Sequence, residues 1–356
     1  MSGQGIAQVL VYTIVLIALA YPLGIYMARV YDRDGFLGRR LRWLQAVERG
    51  FYRVVRTDPK REQDWKGYAL TVLMFSVVFS AFLYALQRLQ GHLFLNPDHL
   101  ASVPPHIAAN TTASFVTNTN WQYYGGESTM SYLVQMAGLA VQNFVSAAVG
   151  IAVLMAVIRG FSRRSTSQLG NVWQDLYRAT VYVLVPVAIV ATIVLVARGV
   201  PQTFDGAATA TTLEGAQQSI ARGPVASQIA IKHLGTNGGG FYNANSAVPL
   251  EDPTAFTTYF ELLLELVIPV ALVFTFGRMV GSMRQAWAIF AAMSALFVIG
   301  LAVTLPAEQH GSQVLRDSGV LLASGDGQAG GNMEGKETRF GIAASAVFAI
   351  GTTATS

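Results

Sequence analysis

Six stretches of this chain are apolar over the thickness of a bilayer's hydrocarbon, and that restricts the fold before any motif does. They run from about Ile6 to Ala28, Gly67 to Gln87, Thr129 to Ile158, Ala179 to Ala197, Ala255 to Gly277 and Gln285 to Pro306. About 20 apolar residues in a helix cross a hydrocarbon core. Backbone groups there must bond internally, so each stretch is expected to be a helix. Only 12% of the 356 residues are charged, about half the usual share of a soluble domain. That is too little polar surface to coat a water-soluble globule of this size, so the fold class expected is an all-α membrane protein. No basic segment precedes Ile6, which marks the first stretch as a retained helix and not a cleaved signal.

Charge placement orients the spans. The segment 29–66 carries eleven Lys and Arg, including Arg39, Arg40, Arg42, Lys60 and Arg61; 159–178 carries four and 277–284 two, which is seventeen of the 24. These are alternate loops, and the other loops hold seven basic residues against eleven acidic ones. Basic loops stay cytoplasmic, so the N-terminus is expected outside. With no cysteine in the chain, disulfides, thiolate metal sites and Cys nucleophiles are excluded. No basic stripe interleaved with aromatics suggests nucleic acid.

The loops expected outside each contain a second, shorter apolar stretch followed by a polar turn. They are 107–117 before Asn118-Thr-Asn-Trp-Gln122, 224–234 before Gly235-Thr-Asn-Gly-Gly-Gly240, and 340–350 before Gly351-Thr-Thr-Ala-Thr-Ser356. Ten to fourteen apolar residues are too short to span and fit a re-entrant helix. Thr119 and Thr236 lie 117 residues apart, and Thr236 and Thr353 a further 117, which suggests a repeat. Non-helical backbone at membrane depth survives only when buried in protein or lining a water-filled cavity. Rings of carbonyl oxygens on such backbone can replace the hydration shell of a monovalent cation. Glycine frees the backbone for this, and the short helix adds the partial negative charge of its C-terminus. The turns carry no central carboxylate, which argues against a divalent-cation site.

The stretches Thr117–Gln122, Gly138–Phe144, Gly223–Lys232, Gly235–Ser246 and Asn332–Phe340 resemble the KdpA family, the potassium-binding subunits of Kdp-type potassium-transporting ATPases. The likeness covers essentially the whole chain after the basic loop. It implies potassium-channel-like repeats of span, re-entrant pore helix, filter loop and span, with one extra N-terminal helix. On that plan 1–28 is the extra helix and 29–66 a basic cytoplasmic loop. Pore repeats occupy 67–158 and 179–277, with a cytoplasmic loop at 159–178 between them. A third repeat, 278–356, is truncated in its filter loop, and the fourth is absent. The resemblance puts the first filter on Thr119, Asn120 and Gln122 and the second on Thr236, Asn237 and Gly238. It points to Thr355 and Ser356 for the third, with Asn118, Gly239 and Asn245 in support. It also implies potassium as the transported ion, bound from the periplasm of a bacterial inner membrane and passed along an intramembrane tunnel. The implied partners are a KdpB-like P-type ATPase subunit, small KdpC-like and KdpF-like subunits, and membrane lipid.

Gly235–Gly240 fits neither phosphate-loop pattern, and no phosphorylation sequence or large cytoplasmic domain is present. Nucleotide chemistry is therefore expected of a partner, and this chain is not expected to be an enzyme by itself. A stand-alone potassium channel or symporter subunit is the alternative. A membrane enzyme using Glu261, Glu265 or a histidine would need convergent groups that the spacing does not offer. The two glutamates are expected near the outer end of their span, in water or neutralised by a neighbour. Lys232, in the last turn of its short helix, reads as a cap. Tyr68, Trp173, Tyr177, Tyr259 and Trp287 read as an interfacial belt.

Overall fold

A computed structural model describes residues 3–31, 42–163, 165–323, 330–333 and 340–355. Arg39, Arg40, Ser356 and most of the Asn332–Phe340 stretch fall outside them. The labelled helices are α1 Gly3–Val30, α2 Arg42–Val54, α3 Trp65–Leu89, α4 Pro105–Val116, α5 Val141–Ser162, α6 Val172–Tyr177, α7 Val185–Ala197, α8 Val225–Leu234, α9 Ala255–Met279, α10 Met283–His310 and α11 Gly341–Thr353. A small antiparallel hairpin, β1 Ala208–Thr211 with β2 Gln217–Ile220, pairs Thr211 with Gln217 next to its turn.

Among the described residues, six helices are long and apolar enough to cross a membrane, at Ala7–Val30, Trp65–His92, Val134–Ser162, Val172–Ala197, Ala255–Met279 and Met283–Asp317. The chain is an all-α, multi-pass membrane protein. The third and fourth spans each contain a widened π-type segment, at Val134–Ala140 and Arg178–Leu184. The fourth begins seven residues before the apolar stretch that announced it. Asn171 explains that start, because its side chain accepts from the backbone N–H of Trp173 and Gln174. This is an N-cap, which satisfies donors the first turn leaves unpaired. The third starts later than expected, because Gln90 pins residues 129–131. Its amide donates to Thr129 O at 2.8 Å and accepts from Ser131 N at 3.0 Å.

The chain forms two compact units, residues 26–253 and residues 1–25 with 254–356. In the first, Leu83, Val103, Ala108, Phe115, Tyr124, Met130, Val134 and Leu139 form a buried core cluster. A buried ion pair ties α5 to α6: the Arg159 guanidinium donates to both oxygens of Asp175, at 2.6 and 2.8 Å. Paired charges of this kind survive burial only with such bidentate geometry and further hydrogen bonds. Tyr68 supplies one of those, donating to Asp175 Oδ2 at 3.0 Å while also reaching Ala152 O. Tyr68 is therefore an interior group and not part of an interfacial belt.

In the second unit, α1 crosses α9 closely at Gly24, where a Cβ would stand 2.4 Å from Ala271 O. Thr275 donates to Gly24 O at 3.1 Å across the same crossing. Tyr21, Phe274, Trp287 and Phe290 pack as an aromatic cluster beside it. Thr254 and Thr257 form a reciprocal capping box at the start of α9.

Candidate functional site

The helices α4 and α8 end in the same way. In each, three successive N–H groups fold back to carbonyls four, three and five residues earlier. In the first they are Thr117 to Ala113, Asn118 to Phe115 and Thr119 to Ser114. In the second they are Gly235 to Ile231, Thr236 to His233 and Asn237 to Lys232. This is a helix C-cap with one left-handed residue, Asn118 at φ 65° and Thr236 at φ 52°. The end of α11 begins the same pattern, with Ala354 to Ile350 and Thr355 to Thr352. The backbone therefore matches Asn118 with Thr236 and Thr355. The 117-residue spacing of threonines pairs different positions: Thr353, expected in a turn, is the last residue of α11.

Beyond the caps, the first two loops lie against each other. The Asn237 side-chain amide donates to Asn118 Oδ1, to Asn120 Oδ1 at 3.0 Å and to Ser146 Oγ at 3.4 Å. Ser146 donates to Asn118 Oδ1 at 2.6 Å, and Asn120 donates to Asn143 Oδ1 at 2.7 Å. Gln122 clasps the backbone of Gly240, accepting from its N–H at 2.9 Å and donating to its carbonyl at 3.2 Å. A Cβ on Gly238 would stand 3.6 Å from Asn120 O and 3.7 Å from Thr119 O, and one on Gly239 only 3.0 Å from Asn120 O. Gly239 also has φ 69°, which favours glycine. Two strips of uncharged backbone thus meet with side-chain amides packed behind them. Asn237 Oδ1, Asn143 Nδ2 and Gln142 Nε2 are buried there without a protein hydrogen-bond partner.

The second loop is closed from behind by charge. Lys232 is 1% exposed and Glu251 fully buried, with Nζ to Oε2 at 3.1 Å. The same ammonium donates to Asn245 Oδ1 and to Ser246 Oγ, the latter at 3.0 Å. The other Glu251 oxygen accepts from Tyr242 N at 3.1 Å. Lys232, just before the loop, is thereby tied to Tyr242, Asn245, Ser246 and Glu251 just after it. It acts as a staple around residues 233–241 and not as a cap on its own helix. Asn245 has the supporting place expected of it. Glu127 adds a tie between the segments that follow the two loops, accepting from Asn243 N at 2.9 Å.

Tyr124 and Tyr242 flank these ties. Burial pushes the Tyr124 phenol up to about 12. Burial, and then the Glu251 charge, pushes Tyr242 up as well. Both remain neutral donors or acceptors at neutral pH.

The expected site residues divide as follows. Asn118, Asn120, Gln122, Asn237, Gly238 and Gly239 come together. Thr119 contributes its backbone, while its exposed side chain meets Thr117 Oγ1 at 3.1 Å. Thr355 belongs to the other unit, where it donates to Glu265 Oε1 at 2.8 Å. Glu261 and Glu265 are buried, not bathed in water, and Glu265 meets the residue matched with Asn118 and Thr236. Asn143, Ser146 and Glu251 escaped sequence reasoning. Gln142-Asn143 was legible as an amide pair inside an apolar span, where polar side chains are functional candidates.

Residues 10–356 match the family described as "KdpA: Potassium-transporting ATPase A subunit". Proteins named "Potassium-transporting ATPase potassium-binding subunit" are similar along the whole chain. That of Sorangium cellulosum is 52% identical over 365 residues, covering 100% of this chain and 63% of its own length. Those of Brucella anthropi and Rhizobium rhizogenes are each 54% identical over 356 residues, covering 100% of this chain and 61% of theirs. The chain thus spans less than two thirds of the length of these relatives.

Proposed function

The chain belongs to the KdpA family, and from that premise we propose that it is the potassium-binding subunit of an ATP-driven potassium uptake system. In this reading α4 and α8 are re-entrant pore helices of two repeats. The loops that follow them are two sectors of a filter that binds dehydrated potassium. Thr119, Asn120, Asn237 and Gly238 supply carbonyl oxygens. Gln122, Asn118 and Gly239 fix the spacing, with Asn143, Ser146 and the Lys232–Glu251 pair behind. Thr355 opens a third sector, and the ring needs four. Potassium then passes through an intramembrane tunnel to a KdpB-like P-type ATPase subunit, which performs the hydrolysis. KdpC-like and KdpF-like chains complete the complex in a bacterial inner membrane, with the N-terminus outside.

The observation that carries this reading is the contact of Gly238 with the carbonyls of Thr119 and Asn120, each loop issuing from the C-terminus of a short helix. The negative ends of those two dipoles favour a cation at the loops. The absence of carboxylates from both loops suits a weakly hydrated monovalent ion, which neutral oxygens can strip of water.

The test is potassium-stimulated ATP hydrolysis by the full-length subunit assembled with its ATPase partner. Gly238→Asp places bulk and charge against the carbonyls of Thr119 and Asn120. It should weaken apparent potassium affinity by roughly 10-fold or more, or abolish discrimination against sodium. Unchanged affinity and selectivity would reject the assignment.

A further inference from the structure

The segment joining the first two spans carries a helix that the filter does not use. We infer that α2 is an interfacial helix that seats an apolar stripe in the membrane surface and reads anionic phospholipid headgroups with the basic stripe beside it. This stands apart from the potassium reading and rests only on the chain being a multi-pass membrane protein.

Three sectors of α2 differ in what they face. Trp43, Val47, Gly50 and Val54 follow the spacing i, i+4, i+7, i+11 and so share one face of a 3.6-residue helix. The three side chains of that face are bare in the protein, Trp43 67%, Val47 54% and Val54 81% exposed. Arg49 and Arg53 fall along one flank of this stripe, and both are exposed, as are Arg56, Lys60 and Arg61 just beyond the helix. The third sector is docked on the protein. Phe51 packs on Trp173 and Tyr177, and Glu48 accepts from Tyr52 at 2.5 Å and from Tyr182 at 2.8 Å.

That docking sets the level at which α2 lies. Its partners Trp173, Tyr177 and Tyr182 occupy the first turns of the fourth span, where an apolar helix leaves the interface. The chain then returns to the bilayer at Trp65, itself exposed, with the Lys66 ammonium 5.6 Å from its ring centroid. An aromatic and aliphatic stripe flanked by arginine is the pattern of helices that lie in the headgroup region. Arginines there are drawn to the negative surface of anionic lipid. Charge complementarity favours this occupant over a protein surface, since a protein partner would have to match both the apolar stripe and the exposed arginines beside it.

The chain has no cysteine, so Val47→Cys gives one labelling site in it. The full-length chain, assembled with cysteine-free partner subunits, would carry a nitroxide there. It would be placed in nanodiscs of phosphatidylcholine with or without phosphatidylglycerol. The label should be more accessible to oxygen than to a water-soluble nickel chelate, and phosphatidylglycerol should deepen it. Arg49→Gln with Arg53→Gln should reduce that lipid response about threefold. Val54→Cys, on the most exposed side chain of the stripe, repeats the measurement should Val47→Cys disturb packing. The proposal falls if both labels meet the chelate as freely as one at Leu213→Cys in the exposed hairpin, whatever the lipid. It falls equally if a photo-crosslinker at the same sites captures a partner subunit instead of lipid.

Discussion

The first and second loops share a backbone but are braced by different chemistry. Each leaves its helix through the same three hydrogen bonds and one left-handed residue. The first is then held by neutral groups, Asn118, Asn120, Asn143 and Ser146. The second is held by three glycines and a buried ion pair, Lys232 with Glu251. One cap geometry thus tolerates two supports, and the supports should fail differently. Amide bonds between uncharged groups contribute about 1 kcal/mol each. A buried charge left alone costs several kcal/mol. The second loop has the larger penalty for error, and the first should degrade gradually.

The largest effect should come from Lys232→Met. It strands Glu251 in the interior and should destabilise the second loop by about 3–5 kcal/mol, read as loss of assembled complex on gel filtration. Adding Glu251→Gln should recover part of that loss. No recovery would mean that the staple works through shape and not charge, and that the two loops are not braced by different chemistry. Next, Gly239→Ala must hold an L side chain at φ 69° with its Cβ 3.0 Å from Asn120 O. Strain of roughly 1–2 kcal/mol should appear as weaker potassium activation of ATP hydrolysis, with maximal rate less affected. A change in maximal rate alone would count against this placement.

Gln122→Leu removes both bonds to Gly240 and should cost about 1–3 kcal/mol, seen as a several-fold higher potassium requirement. The smallest effect has the opposite sign. Thr236 is β-branched at φ 52°, a conformation that asparagine adopts more readily, and Asn118 holds the matching place. Thr236→Asn should raise thermal stability by up to about 1 kcal/mol. A fall in stability would show that the threonine hydroxyl makes a contact worth more than the strain.

Much of this architecture was legible in the sequence because a bilayer leaves few alternatives. Hydropathy located the six spans seen among the described residues, and length separated the helices at 105–116, 225–234 and 341–353 from them. The loop register was harder. Identical threonines at a 117-residue spacing drew attention to residue type, whereas the likeness resides in the backbone hydrogen bonds of the helix ends, where Asn118, Thr236 and Thr355 correspond. Lys232 looked like a cap because its partner, Glu251, sits 19 residues on in sequence and is brought close only by the loop between them. Reading 29–66 as a run of charge hid the helical period of Trp43, Val47, Gly50 and Val54. The early start of the fourth span was missed because Asp175 and Arg178 look like loop residues until Arg159 is seen beside Asp175.

In the proposed filter, neutral oxygens of the two adjoining loops hold a dehydrated potassium ion. Its most direct test is a structure of the full-length subunit in its complex, with rubidium replacing potassium and anomalous scattering used to locate it. Rubidium peaks should stand against the carbonyls of Thr119 and Asn120 and the backbone of Asn237 and Gly238, and should vanish when sodium replaces rubidium. Ordered loops with no peak between them, or a peak held only by Glu261 and Glu265, would contradict the account.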